Sequence, residues 1–463
     1  MPLVTVYITN YNYGKYIKQA IESVLNQSLV DYELLIIDDG STDNSKEIIE
    51  LYRDVPNIKI IYQQNKGLNI TNNIAMRVAS GKYLVRLDAD DYFVPNALEK
   101  MVNILERDST LGLVFPDYYY VDASGNMIGE ERRHNFNKEV SLYDQPAHGA
   151  CTIIRLESLR KMGGYNESFS CQDGYDLWIK FITYHKVTNI NEPLFYYRQH
   201  GNNLTSNENR ILSTRRKIKE TFVKDRFELP ATLAIIPVRN TFIKGQNWPL
   251  YTYDDKTILE HKVATCLAAD HIHQILITSA DREILDFAKA KFGDIEYVRV
   301  LERPSEFAAP NQTLTKTIEQ AVTHVEQQGI IIQAIMSVSL EYPMLSSEVL
   351  SDMLNTLVLF KSDAVLSVRP DNRMFFQHNG HTLQPILDQA KFTKLEREAL
   401  YRGAGGVVLS TLENFLKNKN LLSGKISHVV VDSECSFGIF SAFDFNLFKH
   451  FAEKESLSSL FSS

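Results

Sequence analysis

The feature that most constrains this chain is a series of unbroken apolar segments, each followed by a stretch with helical spacing. In the first half these segments read "VTVYITN", "YELLIIDDG", "IKIIYQQ" and "YLVRLDADD". After the first of them, "KYIKQAIESVLNQ" places its apolar residues, from Ile17 to Leu25, on one face of a helix. Strands that are apolar on both faces and are joined by helices are typical of a parallel sheet covered on both sides. The sequence therefore predicts an α/β fold, in which ligands bind beyond the carboxyl ends of the strands.

The same alternation begins again in the second half, so we expect two domains. A chain of 463 residues exceeds the usual size of one domain. A polar, helix-like stretch, "NENRILSTRRKIKETFVKDRFELP", is followed by the strand-like "LAIIPVRN" and "HQILITSAD" and by the helix-like "TILEHKVATCLAA" and "REILDFAKAKFG". We predict a first domain at residues 1–228 and a second α/β domain at residues 229–463.

Composition narrows the classes of protein that this chain can belong to. Its formal net charge of -8 disfavours a nucleic-acid partner. Its four cysteines are scattered and form no CxxC pair, which favours reduced thiols over a disulfide framework or a zinc site. Strand-like sequence follows Met1 and Pro2 directly, and no apolar run reaches the roughly 20 residues of a membrane-spanning helix. We therefore expect a cytoplasmic protein whose membrane association, if it has any, is peripheral.

A cluster of acids at the end of one apolar strand is the first candidate site. In "YLVRLDADD" three carboxylates, Asp88, Asp90 and Asp91, fall within four residues. Carboxylates this close repel one another unless a cation neutralises them. Their hard oxygen atoms suit Mg²⁺ or Mn²⁺. A solvated acidic turn would give the same pattern, so the motif alone leaves both interpretations open.

Further motifs of the first domain carry a resemblance to a known family. The chain contains, in order, "TVYITNYNYGKYIKQAIESVLNQS", "YELLIIDDGSTDNS", "QNKGLN", "GKYLVRLDADDY", "CQDGYDLWIKF" and "YYRQHGNNLT". From Pro2 to Thr205 this series resembles the family 2 glycosyltransferases, which have the Rossmann-like GT-A fold. The resemblance implies an inverting hexosyltransferase that uses Mn²⁺ or Mg²⁺. It would move a sugar from a nucleotide-diphosphate donor to a hydroxyl of a glycan or lipid-linked glycan, in bacterial surface polysaccharide biosynthesis. A UDP-sugar is the favoured donor, with GDP and dTDP left open.

The same resemblance implies roles for individual residues. Asp39 would accept a hydrogen bond from the nucleotide base, and Asp88 would hold the ribose. Asp90 and His200 would bind the metal, although His200 could also be an exposed loop histidine. Asn72 stands where many relatives have arginine. The complete implied nucleotide-binding set is Thr9, Tyr11, Asp39, Asn65, Gly67 and Asp88.

The segment "CQDGYDLWIKF" resembles the acidic catalytic motif of the family. We expect Asp173 to be the general base that deprotonates the acceptor hydroxyl. Asp176 lies three residues further on and would share a helix face with Asp173, so either acid could act. For Asp176 we favour the alternative of an acid stabilised near a helix N-terminus. Gln172 stands where the family often has glutamate, and we expect Trp178 to be a core residue.

The second domain resembles a different family, the cytidylyltransferases that make CMP-sialic acid and CMP-Kdo. From about Leu233 to Phe448 the matching segments are "LAIIPVRNTFIKGQNWPL", "ERPSEFA", "KSDAVLSV" and "YRGAGGVVLSTLENFL". Two departures stand out: "NTF" replaces small residues of the phosphate loop, and of the metal-binding acids near the end of the chain only Asp444 remains. Arg239 and Lys244 remain as candidate phosphate contacts.

We therefore predict that residues 229–463 form a degenerate nucleotidyltransferase-like domain that serves in assembly or sugar recognition. Relatives of this domain dimerise, which implies a possible homodimer through it. Asp432 and Glu434 lie near the lost acids, so another register could hide a working site. The alternatives are a bifunctional glycosyltransferase and CMP-sugar synthetase, or a non-catalytic assembly protein that binds glycans or nucleotides.

Overall fold

A computed structural model describes residues 1–132, 140, 147–169, 171–200, 208–309, 312–371, 373, 375–386 and 400–455. The chain divides into two compact units, Met1–Arg215 and Arg216–Ser463, each with its own central sheet. The prediction placed the domain boundary further along, after residue 228. The difference arises because the units divide inside one polar helix, Glu208–Lys224.

The first unit alternates strands and helices, as the apolar periodicity predicts. Its strands are β1 (Val4–Asn10), β2 (Tyr32–Asp38), β3 (Ile58–Tyr62), β4 (Tyr83–Asp88), β5 (Tyr92–Phe93), β6 (Leu111–Val121), β7 (Met127–Glu131), β8 (Ile153–Arg155) and β9 (Lys186–Arg198). Its helices are α1 (Ile17–Leu25), α2 (Ser45–Glu50), α3 (Leu68–Val78), α4 (Ala97–Arg107), α5 (Leu156–Lys161) and α6 (Asp173–Tyr184), followed by α7 (Glu208–Lys224), in which the two units divide.

The sheet of the first unit is parallel on one side and mixed on the other. Its strand order is β3-β2-β1-β4-β8-β6-β9-β5, with β7 paired to β6. Strands β3, β2, β1 and β4 are parallel, which confirms the prediction for this part. The prediction of a wholly parallel sheet is wrong, because β8 runs antiparallel to both β4 and β6. The carboxyl ends of four neighbouring strands therefore share one edge.

Alternate residues of the central strand β1 enter two apolar clusters, one on each face of the sheet. Val6 and Ile8 pack in the cluster that includes the buried face of α1. Tyr7 points to the opposite face and packs in the cluster that includes Trp178 of α6. Both faces are thus covered, which explains why β1 is apolar at nearly every position.

The second unit is also a mixed α/β structure. Its strands are β10 (Thr232–Pro237), β11 (Phe242–Ile243), β12 (Gln246–Asn247), β13 (Thr252–Tyr253), β14 (Lys256–Thr257), β15 (Ile272–Ser279), β16 (Val298–Glu302), β17 (Ala334–Val338), β18 (Ala364–Asp371), β19 (Phe376–His378), β20 (Leu383–Pro385), β21 (Leu400–Thr411) and β22 (Ile426–Val430). Its helices are α8 (Ile258–Ala268), α9 (Arg282–Phe292), α10 (Thr315–Gln327), α11 (Ser347–Leu359), α12 (Leu412–Asn418) and α13 (Ala442–Glu455), with 3₁₀ turns at Trp248–Leu250 and Ser305–Ala308.

The strand order of the second sheet creates a switch point beside β10. The order is β16-β15-β10-β17-β21-β18-β22, with β15 and β17 parallel to β10 on its two sides. The chain therefore adds β15 and β16 on one side and then crosses to β17 on the other. In α/β sheets such a reversal opens a crevice at the carboxyl ends of the strands.

Two further expectations concern the whole chain. All four cysteines are buried and carry free thiols, as the absence of a CxxC pair predicts. None of the helices in the described ranges is both long and apolar enough to cross a bilayer.

Candidate active site

The carboxyl edge of the parallel strands in the first unit brings Thr9 and Asp88 together. The two residues are register partners in the β1–β4 ladder. The Thr9 hydroxyl donates to Oδ1 of Asp88 at 3.2 Å. Burial raises the pKa of Asp88, while the Arg86 guanidinium lowers it. Two members of the predicted nucleotide-binding set are therefore in direct contact.

Asp38, the last residue of β2, shapes the turn that follows the strand. Its Oδ1 accepts from the backbone N–H groups of Gly40 and Ser41 at 3.2 and 2.9 Å, and its Oδ2 accepts from Asn10 Nδ2 at 2.7 Å. Gly40 has a φ of +83°, and a Cβ there would lie 2.8 Å from the Asn65 backbone nitrogen. The turn can therefore lie against the loop that contains Asn65 only because residue 40 is glycine.

Asp39 holds that same loop through its side chain. Its Oδ1 accepts from Gln63 Nε2 and from the Lys66 backbone N–H at 2.7 and 2.8 Å, and its Oδ2 accepts from the Gly67 N–H at 2.9 Å. Gly67 has a φ of +88° and directly precedes α3. The structure thus joins Asp39 and Gly67, and places Asn65 in the loop that Asp39 orders. Recognition of the base by Asp39 stays a prediction.

Tyr11 and Asn72 lie in contrasting surroundings. Tyr11 follows β1 and is 47% exposed, so it is not a core residue. Asn72 is fully buried on α3 and accepts from the Tyr7 hydroxyl at 3.1 Å. Asn72 is therefore a buried packing residue in this chain. Trp178, 1% exposed and packed edge-on against Phe115, is a core residue, as predicted.

Asp90 and His200, the predicted metal ligands, meet at the same edge. His200 Nε2 lies 2.8 Å from Oδ2 of Asp90, although the residues are 110 positions apart. The His200 ring stacks on Tyr16 at a centroid distance of 5.9 Å and lies 5.6 Å from Tyr13. Burial, and next the charge of Asp90, raise the pKa of Tyr13, so its hydroxyl stays protonated beside the acids.

Arg198 ties the acidic turn to the segment that carries His200. Its Nε donates to the backbone carbonyl of Asp90 and its own N–H donates to Oδ1 of Asp91, both at 2.9 Å. Its guanidinium lies 4.6 Å from the centre of the Tyr16 ring on which His200 stacks. Burial raises the pKa of Asp91 well above its usual range, and Asp90 adds to the rise. Asp91 is thus an anchor for β9, whereas Asp90 faces His200.

The Asp90 and His200 pair fits a divalent cation that is also held by a ligand. Within the described ranges, no group of three or more histidine, cysteine or acidic side chains could hold a metal by itself. Mg²⁺ in nucleotide sites is commonly held by one or two carboxylates plus phosphate oxygens and water. The carboxylate of Asp90 is also a ligand type that suits Mn²⁺. The two residues could therefore hold a metal together with a diphosphate.

Asp173, the predicted base, is the first residue of α6. Gln172, which precedes it, has a left-handed φ of 62° and accepts from Arg215 Nε at 2.8 Å. Arg86 Nη1 donates to Oδ2 of Asp173. The Nε atom of the same guanidinium lies 2.9 Å from Oδ1 of Asp88. The candidate base is therefore linked to the candidate ribose ligand. Arg86 was not among the predicted site residues, although a single cation inside an otherwise apolar strand was a signal for it.

Asp176, the alternative base, is engaged elsewhere. Its Oδ2 pairs with Lys180 Nζ at 2.7 Å, and the same ammonium donates to the Gly164 carbonyl at 2.9 Å. Burial raises the pKa of Asp176 and the charge of Lys180 lowers it. Asp176 lies in the first turn of α6, where an acid is stabilised by the helix N-terminus, as the preferred alternative expected. The choice of Asp173 as the base stays a prediction.

The second unit has a cavity of about 290 Å³ at the switch point beside β10. Its lining includes Arg239, Trp248, Arg303, Ser339 and Glu341. Arg303 is only 4% exposed; its Nη2 donates to the Val238 carbonyl at 2.9 Å, and its Nε has no partner within the described residues. The cavity thus lies at the carboxyl ends of the parallel strands, as the candidate site of the first unit does.

Three further candidate residues of the second unit, Asp444, Asp432 and Lys244, have structural contacts. Asp444 caps α13, because its Oδ2 accepts from the Phe440 N–H and the Ser441 hydroxyl at 3.1 and 2.8 Å. Asp432 accepts from the Cys435 N–H at 2.8 Å. Lys244 Nζ donates to Asn446 Oδ1 at 2.7 Å. These contacts account for the side chains without a metal or phosphate.

Both units are thus α/β structures with polar side chains at the carboxyl ends of their strands. Comparisons with known proteins identify the family of the first unit. Residues 5–163 match the sequence profile described as Glycosyl transferase family 2. An uncharacterized glycosyltransferase of Methanocaldococcus jannaschii is 33% identical over 206 residues, covering 42% of this chain and 71% of that protein. The chain belongs to glycosyl transferase family 2.

Longer relatives include two named synthases. The chondroitin synthase of Escherichia coli is 33% identical over 208 residues, covering 44% of this chain and 30% of that protein. The hyaluronan synthase of Pasteurella multocida is 32% identical over 205 residues, covering 44% of this chain and 21% of that protein. The chain therefore spans about a fifth to a third of the length of these curated relatives.

Among solved structures, S. aureus TarS 1-349 in complex with UDP-GlcNAc covers 49% of this chain and 68% of that chain, with 20% identity and a TM-score of 0.42. Mannosyltransferase PcManGT from Pyrobaculum calidifontis, in complex with GDP-Man and Mn²⁺, covers 48% and 65%, with 16% identity and a TM-score of 0.39. These comparisons lend no support to the cytidylyltransferase resemblance of residues 229–463, which stays a prediction.

Proposed function

We propose that residues 1–228 form a GT-A glycosyltransferase domain that inverts configuration as it transfers a hexosyl group from a nucleotide-diphosphate sugar. The observation that carries the proposal is the linked series Thr9, Asp88, Arg86 and Asp173, at the edge where Asp90 meets His200. It puts candidate groups for the nucleotide, the metal and the acceptor proton at one edge. A UDP-sugar is the favoured donor.

The reaction requires a base for the acceptor and stabilisation of the leaving diphosphate. Asp173 takes the proton from the acceptor hydroxyl as its oxygen bonds to the anomeric carbon of the donor. The bond between that carbon and the diphosphate oxygen breaks on the opposite side, and the electron pair leaves with the nucleoside diphosphate. Mn²⁺ or Mg²⁺, when bound by Asp90 and His200, supplies positive charge against the leaving group. Asp88 and Asp39 bind and orient the nucleoside.

The acceptor is proposed to be a glycan or lipid-linked glycan in bacterial surface polysaccharide biosynthesis. The support is that two relatives are named chondroitin synthase and hyaluronan synthase. We place the reaction in the cytoplasm, because four free buried thiols are typical of a reducing compartment. Any contact with the membrane would be peripheral.

Calorimetry with UDP, GDP and dTDP, each with and without Mn²⁺, tests the donor and the metal together. We expect one nucleoside diphosphate to bind, with a higher affinity when the metal is present, because the metal would be held by the protein and the phosphates together. Asp90→Ala should remove the metal dependence. Asp54→Ala, which changes an exposed acid of the same unit, should retain it. Equal binding with and without metal in the unchanged chain would refute the metal assignment.

For residues 229–463 we propose a nucleotidyltransferase-like domain without catalytic activity, which serves in assembly or sugar recognition and could carry a homodimer contact. The support is that Asp444 and Asp432 are used as helix and turn caps. A bifunctional CMP-sugar synthetase is the second candidate, favoured by the cavity that Arg239 and Arg303 line. Incubation with CTP and 2-keto sugar acids distinguishes them: we expect no pyrophosphate, and its release would establish the synthetase.

A further inference from the structure

Arg86 is a buried cation that contacts two acids from different parts of the chain. It lies in β4, and its side chain is 5% exposed. One acid is Asp88, two residues further along the strand, and the other is Asp173, 87 positions away at the start of α6. Removing a guanidinium from water is costly, and replacing a whole buried ion pair with well-packed apolar residues is often neutral or stabilising. Stability alone therefore does not account for an arginine at this position.

The contacts use separate parts of the guanidinium. Nη1 donates to Oδ2 of Asp173, and Nη2 donates to Oδ2 of Asp88 at 3.4 Å. Nε lies 2.9 Å from Oδ1 of Asp88, which is an ion-pair contact without hydrogen-bond geometry. Because the guanidinium is planar and rigid, it fixes the separation and the relative orientation of the two carboxylates. The single ammonium of lysine would not reproduce that geometry.

The residues around Arg86 leave space for its guanidinium, and the neighbouring tyrosines Tyr7 and Tyr165 carry no charge. A Cβ on Gly149 would lie 3.0 Å from Oδ2 of Asp173 and would also collide with the guanidinium. Burial raises the pKa of Tyr7 well above its usual range and that of Tyr165 to about 12, so both hydroxyls beside Arg86 stay neutral. The charge of Arg86 therefore acts chiefly on Asp88 and Asp173.

We infer that Arg86 is a positioning residue that holds the candidate base Asp173 in register with Asp88, the candidate ligand of the donor ribose. The inference rests on the proposed function of the first unit. One guanidinium sets the distance between the base and the bound donor, so the acceptor hydroxyl is deprotonated where it can reach the anomeric carbon. A displacement of about 1 Å in such an arrangement costs about a hundredfold in rate. Disturbing Arg86 should therefore lower kcat much more than it raises KM for the donor.

The test compares Arg86→Lys with Lys180→Met in the full-length chain. Arg86→Lys keeps a buried positive charge but not the planar fork, so the unit should fold. Lys180→Met removes a different buried pair of the same helix, Lys180 with Asp176, and reports the general cost of weakening α6. We measure kcat and KM for donor and acceptor, donor affinity by calorimetry, and thermal unfolding.

We expect Arg86→Lys to lower kcat about a hundredfold while donor affinity changes less than about threefold. Lys180→Met should lower the unfolding temperature with little change in kcat. Adding guanidinium ion to Arg86→Ala should recover part of the lost kcat, which a merely structural role would not produce. Wild-type kcat in Arg86→Lys, or parallel losses in both variants, would overturn the inference. Absence of transfer by the unchanged chain would instead refute the proposed function, and the inference with it.

Discussion

The two units place a buried arginine at the same kind of location and surround it differently. Arg86 lies behind the carboxyl edge of the first sheet and is paired with Asp88 and Asp173. Arg303 follows β16 and lines the cavity of the second sheet, where it donates to the Val238 carbonyl and, at 3.5 Å, to the Thr317 hydroxyl. Burial lowers the pKa of Arg303, and the charge of Asp281 counteracts the effect only in part.

The two arginines differ in whether acidic side chains surround them. In the first unit the cation is paired with two acids at the edge, Asp88 and Asp173. In the second unit Asp444 and Asp432 cap a helix and a turn, and the cation lines a cavity together with Glu341, with which it forms no ion pair among the described residues. The α/β topology supplies the location in both cases, whereas the chemistry depends on which acids remain available.

The largest expected effect is on the rate of sugar transfer, which should depend on an acid of the first unit and not on one of the second. Asp173→Asn should lower kcat about a thousandfold or more, because the amide cannot take the acceptor proton, while donor affinity stays nearly unchanged. Glu341→Gln, the equivalent change at the cavity of the second unit, should leave sugar transfer at the wild-type rate. Steady-state kinetics and calorimetry on both variants check this.

Asp176→Asn is the control within the first unit. Because Asp176 is paired with Lys180, its loss should reduce thermal stability more than kcat. A loss of kcat confined to Asp176→Asn would assign the base to Asp176. Loss of transfer on changing Glu341 would show that the cavity of the second unit takes part in the reaction.

The same substitution at the two arginines should change stability in different directions. Arg86→Met leaves the buried carboxylate of Asp173 and the partly buried carboxylate of Asp88 without their cation, so the first unit should lose about 3–5 kcal/mol. Arg303→Met removes a buried charge that has no carboxylate in direct contact within the part of the chain that the structure describes, so the second unit should be unchanged or slightly more stable. Hydrogen exchange of peptides from each unit, measured on the full chain, reports both values. Equal destabilisation would mean that the surroundings of the two arginines are energetically alike.

Sequence alone predicted the part of the fold that local pattern determines. The unbroken apolar segments predicted β1 to β4, and their parallel pairing placed Thr9 and Asp88 side by side. Short or irregular strands such as β8, only three residues long, carry too little periodicity to be recognised. The mixed half of the sheet was therefore missed.

Within the site, the predictions lacked contacts that depend on tertiary packing. The pairing of Arg86 with Asp173 requires α6 to dock on the sheet, and no local spacing encodes it. Arg198 likewise contacts the turn of Asp90 and Asp91 from more than 100 positions away. Asp39 accepts hydrogen bonds from backbone N–H groups of the loop at residues 63–67. Such contacts cannot be predicted from the side chains in the sequence.

The smallest expected effect concerns pH and also separates the units. Glu33 of β2 accepts from Lys59 Nζ at 2.8 Å, from the Thr5 hydroxyl at 2.6 Å and from the Ser80 N–H at 2.6 Å. Burial raises its pKa, but these hydrogen bonds outweigh burial and lower it from 4.5 to about 2. A pKa that is lower in the folded state gives stability above the unfolded value, and that stability is lost as pH falls through the folded value.

Glu33→Gln should therefore destabilise the first unit at neutral pH, and the difference from wild type should shrink between pH 4.5 and about 2. Peptides of the second unit should exchange at wild-type rates throughout, because Glu33 bonds only to its own unit in the contacts given by the described residues. Hydrogen exchange across this pH range is the measurement. A deficit that stays constant with pH would assign the role of Glu33 to packing, since glutamine retains its shape but not its charge.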